Sequence, residues 1–285
     1  MAAGGQVSYP FAQSEEEMRR LAVQAEVLHT EPTRSLFQQA GLAPGMRILD
    51  VGCGAGDVSL LAAEFAGPAG GVVGIDTSQA AIQTAQLRAE RAGLRNVSFT
   101  QADLQTFAGT DEFDALVGRS VLMYLPDPSA ALRGLLPRVR TGGIVAFREV
   151  LIGEPFLEAV PRSELVDQFN AWYLERQAPA QEAMGINGQV GLHLHEVFHD
   201  AGLPAPRMWM HSPMGSEPDW PGWEYLGQQV QMVASLGQRV GVAPPAGIDT
   251  ATFADKVRAH VLQWHGVLRL QRGVQAWARK TATAD

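Results

Sequence analysis

A glycine-rich turn between an apolar run and a helical pattern constrains this chain more than any other feature. Arg47–Val51 has the composition of a buried strand, and residues 52–57 follow it as Gly-Cys-Gly-Ala-Gly-Asp. Glycines at alternate positions predict a tight turn, because glycine adopts backbone conformations that other residues disfavour. Apolar residues then recur at helical spacing from Val58 to Phe65, so the turn leads from a strand directly into a helix.

The alternation of strands and helices continues to residue 150. Apolar runs predict further strands at 71–76, 97–102, 113–118 and 144–150, with helical patterns after several of them. This pattern is typical of an α/β fold with a doubly wound, mostly parallel sheet. From residue 151 the helical stretches lengthen, all six tryptophans occur, and two strand-like runs remain, at 207–211 and 274–280.

Charge and apolar content exclude several functional classes. The 22 Lys and Arg residues against 30 Asp and Glu give a formal net charge of -8 without a basic cluster, so we expect no nucleic-acid partner. No segment approaches roughly 18 consecutive apolar residues, and the first residues lack the pattern of a signal peptide, so we expect no membrane partner. Cys53 is the single cysteine and cannot form an internal disulfide. A cytoplasmic location is expected.

Acids at strand ends indicate what the glycine turn binds. Gly52 and Gly54 carry no side chain that would keep a ligand from the backbone, and the following helix N-terminus offers free N–H groups to an anion. Ligands of open parallel sheets bind beyond the carboxyl ends of the strands. Asp76 ends the next strand, where a carboxylate can accept hydrogen bonds from both ribose hydroxyls. With Asp103 ending the third strand, we predict a ligand that contains a ribose.

Four segments in order resemble the successive motifs of the class I S-adenosylmethionine-dependent methyltransferases. They are Ile48–Gly56, Gly74–Asp76, Gln101–Leu104 and the Thr141–Gly143 turn before a strand. The resemblance implies S-adenosylmethionine as cofactor and a seven-stranded Rossmann-like sheet whose last strand is antiparallel. A small-molecule acceptor is its expected partner, and the motifs carry no information on oligomeric state.

The resemblance also implies an organisation and a set of cofactor-binding residues. We expect an N-terminal helical segment (1–44), an S-adenosylmethionine-binding core (45–150), a helical cap and substrate region with strand six (151–230), and a C-terminal helix with the last strand (231–285). Contacts to methionine, ribose, adenine and the transferable methyl are implied for Asp50, Gly52, Gly54, Asp76, Thr77, Asp103, Leu104, Arg119 and Ser120.

A dinucleotide is the rival cofactor. Its G-x-G-x-x-G fingerprint requires glycine at position 57, where this chain has Asp57. A negative side chain there would repel a pyrophosphate, which makes NAD the minor alternative.

Candidates for the chemistry lie after strands four and five and in the predicted cap. Methyl transfer from a sulfonium is an in-line displacement for which a base is optional. Tyr124, Arg148 and Glu149 are expected near the acceptor, and His193 is a candidate acid or base because imidazole titrates near pH 7. For each, a structural role is the competing interpretation: a core aromatic, an ion pair at a strand end, and a satisfied histidine.

One further motif matches a zinc site. His195, Glu196 and His199 have the H-E-x-x-H spacing that places two imidazoles on one helix face with a glutamate as general base. A pattern of five residues arises by chance, and no third ligand is evident. We therefore predict no metal, and an amphipathic helix that buries Leu192, Val197 and Phe198; a zinc hydrolase is the remote alternative.

Aromatic residues concentrate in the predicted cap. Pockets for apolar ligands have this composition, although a packed cap core explains most of such residues. The residues are Phe156, Phe169, Trp172, Tyr173, Trp209, Trp220, Trp223 and Tyr225. We predict methyl transfer to a small, apolar or aromatic acceptor of natural-product type; the alternative is a protein that binds S-adenosylmethionine for a non-methylating reaction or for sensing.

Overall fold

A computed structural model describes residues 23–107, 112–239 and 241–282 of the 285-residue chain. The part of the sequence before residue 23, including the first half of the predicted N-terminal segment, lies outside the described residues. The strands are β1 (Arg47–Val51), β2 (Gly71–Asp76), β3 (Val97–Gln101), β4 (Phe113–Arg119), β5 (Val139–Val150), β6 (Glu158–Val160), β7 (Arg207–His211), β8 (Met214–Gly215), β9 (Val267–Arg269) and β10 (Gly273–Arg279).

Eight α-helices accompany these strands in the described residues. They are α1 (Thr30–Ala40), α2 (Asp57–Ala66), α3 (Gln79–Arg91), α4 (Pro128–Leu135), α5 (Glu164–Met184), α6 (Leu194–Asp200), α7 (Gly222–Arg239) and α8 (Phe253–Gln263). A π-helical turn, Ala25–His29, precedes α1, and three short 3₁₀ turns occur at Leu122–Tyr124, Leu136–Arg138 and Val190–His193. None of the described helices is both long and apolar enough to cross a bilayer.

The main sheet has seven strands in the order β3-β2-β1-β4-β5-β10-β7. β1 to β5 pair in parallel, whereas β10 is antiparallel to both β5 and β7. The predicted doubly wound sheet with one antiparallel last strand is therefore confirmed. Strand order reverses beside β1, which places the glycine turn after β1 at the ligand-binding edge.

The predicted turn at Thr141–Gly143 is wrong, because these residues lie inside β5. The strand begins at Val139, and its register against β4 shifts between Phe113 and Ala115. Gly142 has a φ of 80°, which glycine permits at such an irregularity. The two glycines therefore bend a continuous strand and do not precede one.

Helices cover both faces of the main sheet. α1 and α2 bury Phe37, Leu61 and their neighbours against one face, and α4 and α6 bury Leu132 and Phe198 against the other. The amphipathic prediction for α6 is correct for Val197 and Phe198 but wrong for Leu192, which precedes the helix and is 45% exposed; Leu194 is buried in its place.

The cap forms a separate hydrophobic core beside the sheet. Its buried residues come from α5, α7, α8 and the loops around the small antiparallel sheet β6-β9-β8. They include the aromatic residues Phe156, Phe169, Trp172, Tyr173, Trp223, Tyr225 and Phe253. α7 runs through residue 230, the predicted boundary between the cap and the C-terminal region.

Candidate functional site

The glycine turn after β1 has three left-handed glycines with three different local environments. Gly52, Gly54 and Gly56 have φ values of 64°, 52° and 90°. A Cβ on Gly52 would lie 2.4 Å from the Val121 side chain, and one on Gly56 would crowd Ala85. Beside Gly54 nothing lies within 4 Å of the same position. Packing therefore explains Gly52 and Gly56, and only Gly54 leaves its side-chain space open for a ligand, whereas the sequence suggested both Gly52 and Gly54.

Asp76 ends β2 and holds the turn through its carboxylate. Its Oδ2 accepts a hydrogen bond from the Gly54 N–H at 2.9 Å, and its Oδ1 accepts one from Ser78 N–H at 2.8 Å. Each carboxylate oxygen has a second lone pair, so two further donors, such as a pair of hydroxyls, can bind there. Ser78 rather than Thr77 caps α3; Thr77 is exposed, and its carbonyl accepts from Gln101.

Asp50 is a fully buried carboxylate at the inner end of the site. The Ser59 hydroxyl of α2 donates to its Oδ2 at 2.5 Å, while Oδ1 has no partner among the described residues. Burial raises the pKa of Asp50 to about 7. A buried carboxylate oxygen without a donor is costly, and an ammonium group bound beside it would supply both the missing donor and the opposite charge.

Asp57, the first residue of α2, binds two arginines at the entrance of the turn. Its carboxylate lies 2.6 Å from Arg88 Nη2 and 3.0 Å from Arg119 Nη2. Burial acts to raise the pKa of Asp57, but the two guanidinium groups hold it below its ordinary value. Arg88 also donates to the Ala55 carbonyl at 2.7 Å, so α3 fixes the turn from outside. Sequence reasoning missed Ser59 and Arg88, since neither belongs to a motif.

The remaining predicted cofactor residues lie at neighbouring strand ends. Asp103 follows β3, is exposed, and accepts a hydrogen bond from Gln105 N–H at 2.8 Å. Leu104 beside it is half-buried and packs on the sheet core. Ser120 follows β4 with a φ of 51°, and its N–H donates to the Arg148 carbonyl at 2.8 Å. The carboxyl edge thus brings the ends of β1 to β5 together.

Glu149 is buried within β5 and supports the turn after β4. Its Oε1 accepts hydrogen bonds from the N–H groups of Val121 and Leu122, both at 3.1 Å, and its Oε2 has no partner among the described residues. Burial raises the pKa of Glu149 to about 7. These contacts give the carboxylate a positioning role for the 3₁₀ turn that ends at Tyr124, whose side chain is 47% exposed.

Three histidines of the predicted cap, His193, His195 and His199, are exposed to solvent. His193 ends a 3₁₀ turn, and its Nδ1 lies 3.1 Å from Glu196 Oε2. His195 and His199 are exposed on α6, and His199 pairs with Asp200 at 3.0 Å. Across residues 23–107, 112–239 and 241–282, no three His, Cys, Asp or Glu side chains gather as a metal site would require. The H-E-x-x-H residues therefore lie on the outer face of a helix whose inner face is packed.

A buried pair that the sequence did not indicate joins the N-terminal segment to β5. Arg148 is 2% exposed, its Nη1 lies 2.9 Å from His29 Nδ1, and its Nη2 donates to the Leu28 carbonyl at 2.8 Å. The π-helical turn Ala25–His29 therefore lies across the carboxyl part of β5. The two residues are 119 positions apart, which no local pattern can connect.

Comparison with known proteins gives one family and several relatives. A family model described as a methyltransferase domain matches residues 42–202. Aklanonic acid methyltransferase DauC of a Streptomyces species is 33% identical over 192 residues, or 60% of this chain and 86% of that protein. A ubiquinone biosynthesis O-methyltransferase of Alkalilimnicola ehrlichii is 37% identical over 144 residues, which cover 50% of this chain and 54% of that protein.

A solved structure shares the fold. It is phosphoethanolamine N-methyltransferase 2 of Haemonchus contortus in complex with S-adenosyl-L-methionine, with a TM-score of 0.54 and 14% identity. The alignment covers 94% of this chain and 58% of that one.

Proposed function

Because the chain belongs to the class I S-adenosylmethionine-dependent methyltransferases, we propose that it methylates a small organic acceptor of apolar or aromatic character. The family assignment rests on the methyltransferase-domain match over residues 42–202. S-adenosylmethionine is the methyl donor, and the chain is an enzyme of the transferase class. The acceptor is the part that we propose.

The residues at the carboxyl edge fit the cofactor. Asp50 Oδ1, buried and without a donor, suits the ammonium of the methionine part, and the open space beside Gly54 suits its passage along the turn. Asp76 has free lone pairs for the ribose hydroxyls, and Asp103 with Leu104 lies where the adenine would bind. We assign Arg119 and Ser120, at the end of β4, to the surroundings of the transferable methyl, and Thr77 and Gly52 stay predicted contacts of the same cofactor.

The bound cofactor supplies a methyl group on a positively charged sulfur, which leaves as a neutral thioether when an acceptor atom takes the methyl. The protein holds donor and acceptor in line and excludes water. Tyr124, half-exposed at the end of the 3₁₀ turn after β4, is the residue that we propose to contact the acceptor. Glu149 acts through that turn, and His193 stays a prediction.

The single observation that carries the acceptor proposal is the position of the aromatic cap core. β5 and β7 end, and β10 begins, at the same edge of the main sheet, and each of these ends connects to the cap. The cap therefore joins the main sheet at this edge, and we propose that some of its aromatic and apolar side chains contact the acceptor. The printed name of the Streptomyces relative, aklanonic acid methyltransferase, supports a small organic molecule as the acceptor.

A product assay tests the proposal. The purified enzyme with labelled S-adenosylmethionine is offered two acceptor sets, one aromatic or polycyclic and one aliphatic and polar, each with comparable hydroxyl, amine and carboxyl groups. We expect label transfer to members of the aromatic set, with mass spectrometry showing one added methyl. Transfer confined to the polar aliphatic set would contradict the proposed acceptor class while leaving the family assignment intact. The cytoplasmic location and the absence of a nucleic-acid partner stay predictions.

A further inference from the structure

The guanidinium of Arg148 is a buried cation without a carboxylate partner. No carboxylate among the described residues lies within 4.0 Å of it, and its Nε has no hydrogen-bond partner there. Glu149 attracts it, but Glu149 points to the opposite face of β5 and is engaged with the Val121 and Leu122 N–H groups. A buried charge without a counter-ion is strongly disfavoured unless an anion joins it.

A second cation, Arg119, acts on Arg148. Burial and then Arg119 lower the pKa of Arg148 to about 9, while Glu149 and Tyr225 act to raise it. A guanidinium only donates hydrogen bonds, so the His29 Nδ1 that faces it accepts, and the imidazole is neutral with its proton on Nε2. Burial, Arg119 and Arg148 lower the pKa of His29, and burial with Arg148 lowers that of His211. The surroundings therefore favour negative charge.

A second unpartnered polar side chain lies next to Arg148. Gln275 in β10 is directly opposite Arg148 in the antiparallel register, on the same face of the sheet, and is 0% exposed. Neither its Oε1 nor its Nε2 has a hydrogen-bond partner among the described residues. A buried side-chain amide without any hydrogen-bond partner is rare. The NH₂ group of Gln275 can donate to an anion beside the guanidinium.

The pair lies where the acceptor is expected. Arg148 is opposite Arg119 in the parallel register of β4 and β5, and Ser120 N–H donates to the Arg148 carbonyl. On the other side, Leu28, whose carbonyl binds Arg148, is buried in the cap core. Arg148 therefore lies between the proposed methyl position and the aromatic cap.

We propose that Arg148, assisted by Gln275, binds an anionic group of the acceptor, namely a carboxylate. This inference rests on the proposed function and narrows its acceptor to organic acids. The carboxylate replaces the Leu28 carbonyl and the His29 imidazole as acceptor of the guanidinium, since ionised acceptors bind a guanidinium about twice as strongly as neutral ones. The π-helical turn Ala25–His29 withdraws to admit it; such turns are frequent at functional sites.

Calorimetry with defined probes tests the inference. The enzyme loaded with S-adenosylhomocysteine is titrated with 2-naphthoate, 2-naphthamide, octanoate and octanamide. We expect a carboxylate to bind at least about tenfold more tightly than its own amide. In Arg148→Met this preference should vanish, and in Arg148→Lys part of it should remain, because lysine keeps the charge but not the planar fork.

Two controls separate the possible results. Arg207→Met removes an exposed arginine at the opposite edge of the main sheet and should keep the wild-type preference. The affinity for S-adenosylhomocysteine, measured for every variant, reports whether the fold is intact. If Arg148→Met proves unfolded, Arg148→Lys and the wild-type comparison of acid with amide decide the question.

The outcomes distinguish this inference from the proposed function. Equal binding of acid and amide by the wild type, a preference that survives in Arg148→Met, or no binding of any probe at millimolar concentration would each overturn the carboxylate site. Binding of octanoate but not of 2-naphthoate, lost in Arg148→Met, would support the carboxylate site and contradict the aromatic acceptor. Tighter binding of both naphthyl probes than of both octyl probes, with no difference between acid and amide, would support the aromatic acceptor and contradict the carboxylate site.

Discussion

The carboxylate of Asp76 and the backbone N–H of Gly54 are joined by a hydrogen bond of 2.9 Å. The acid at the end of β2 therefore fixes the one glycine of the turn whose side-chain space is open. The proposed binding of the ribose and the shaping of the turn therefore depend on the same carboxylate.

Asp76→Ala should weaken S-adenosylmethionine binding by at least about tenfold, because each lost hydrogen bond to a charged acceptor contributes ~1.5–3 kcal/mol. Isothermal calorimetry measures this change. Asp127→Ala is the matched control: Asp127 accepts a backbone N–H bond from Ala130 at 2.8 Å as the cap of α4 and belongs to none of the cofactor motifs. Its removal should cost stability but leave the affinity unchanged. An unchanged affinity in Asp76→Ala would show that this acid does not bind the ribose.

Gly54→Val should abolish thermal stabilisation by S-adenosylmethionine while the fold persists. A β-branched side chain would fill the open space and is strained at a φ of 52°. Gly93→Val controls for the strain, since Gly93 has a φ of 68° and also has nothing within 4 Å, but it ends α3 away from the turn. Both variants should melt earlier than the wild type, and only Gly93→Val should still be stabilised by the cofactor. Equal cofactor stabilisation in both would exclude the turn as the binding site.

S-adenosylmethionine should bind more tightly as the pH rises from 6 to 7.5. The pKa of Asp50 is about 7 in the free protein because of burial, whereas an ammonium ligand requires the ionised carboxylate. Below the pKa, binding must first remove a proton, so affinity should fall about tenfold per pH unit at the acidic end. Calorimetry at several pH values detects this slope. Asp50→Asn should bind weakly with a flat profile, and a slope that persists in Asp50→Asn would assign the titration to another group.

Glu149→Ala should destabilise the protein by a few kcal/mol. The Val121 and Leu122 N–H groups would lose their acceptor while buried, and each unsatisfied donor costs ~1–3 kcal/mol. Glu149→Gln keeps an acceptor oxygen and should retain most of the stability. Urea unfolding gives both values. If both variants unfold like the wild type while turnover is lost in each, a direct catalytic role would replace the positioning role.

Replacing His195 and His199 together by glutamine should leave turnover intact and change stability by less than about 0.5 kcal/mol, because both side chains are exposed. A chelator should have no effect either, since a thioether leaves a sulfonium as a neutral group and needs no Lewis acid. Activity lost on chelation and restored by zinc would revive the metal-dependent alternative.

Local patterns predicted the parts of the fold that local forces decide. The β1 run, the glycine turn and α2 follow from residues that are neighbours in sequence, and strand ends were placed within about one residue at β3 and β10. The prediction of a turn at the glycine pair 142–143 was wrong, because the continuity of β5 becomes visible only through its pairing with β4.

The candidate site was predictable where motifs carry it and not where distant contacts do. Asp50 and Asp76 belong to motifs, and the structure shows their hydrogen bonds to Ser59 and Gly54, while their roles toward the cofactor stay predictions. Arg88 at the turn and His29 at Arg148 depend on side chains brought together from separate helices and strands. For Glu149 the sequence left a role near the acceptor and an ion pair at a strand end both open, whereas the structure buries it completely behind the turn after β4.

The position of β10 has a consequence for how the chain acquires its structure during synthesis. β7 pairs only with β10 among the described strands, and β10 is the last of them to be made. While the ribosome adds the residues between 211 and 273, at about 5–20 per second, β5 and β7 both present open backbone edges for several seconds. Closure of the sheet therefore comes after all the described cap helices have been synthesised, so the cap is the part of the chain that is available to cover those edges until then.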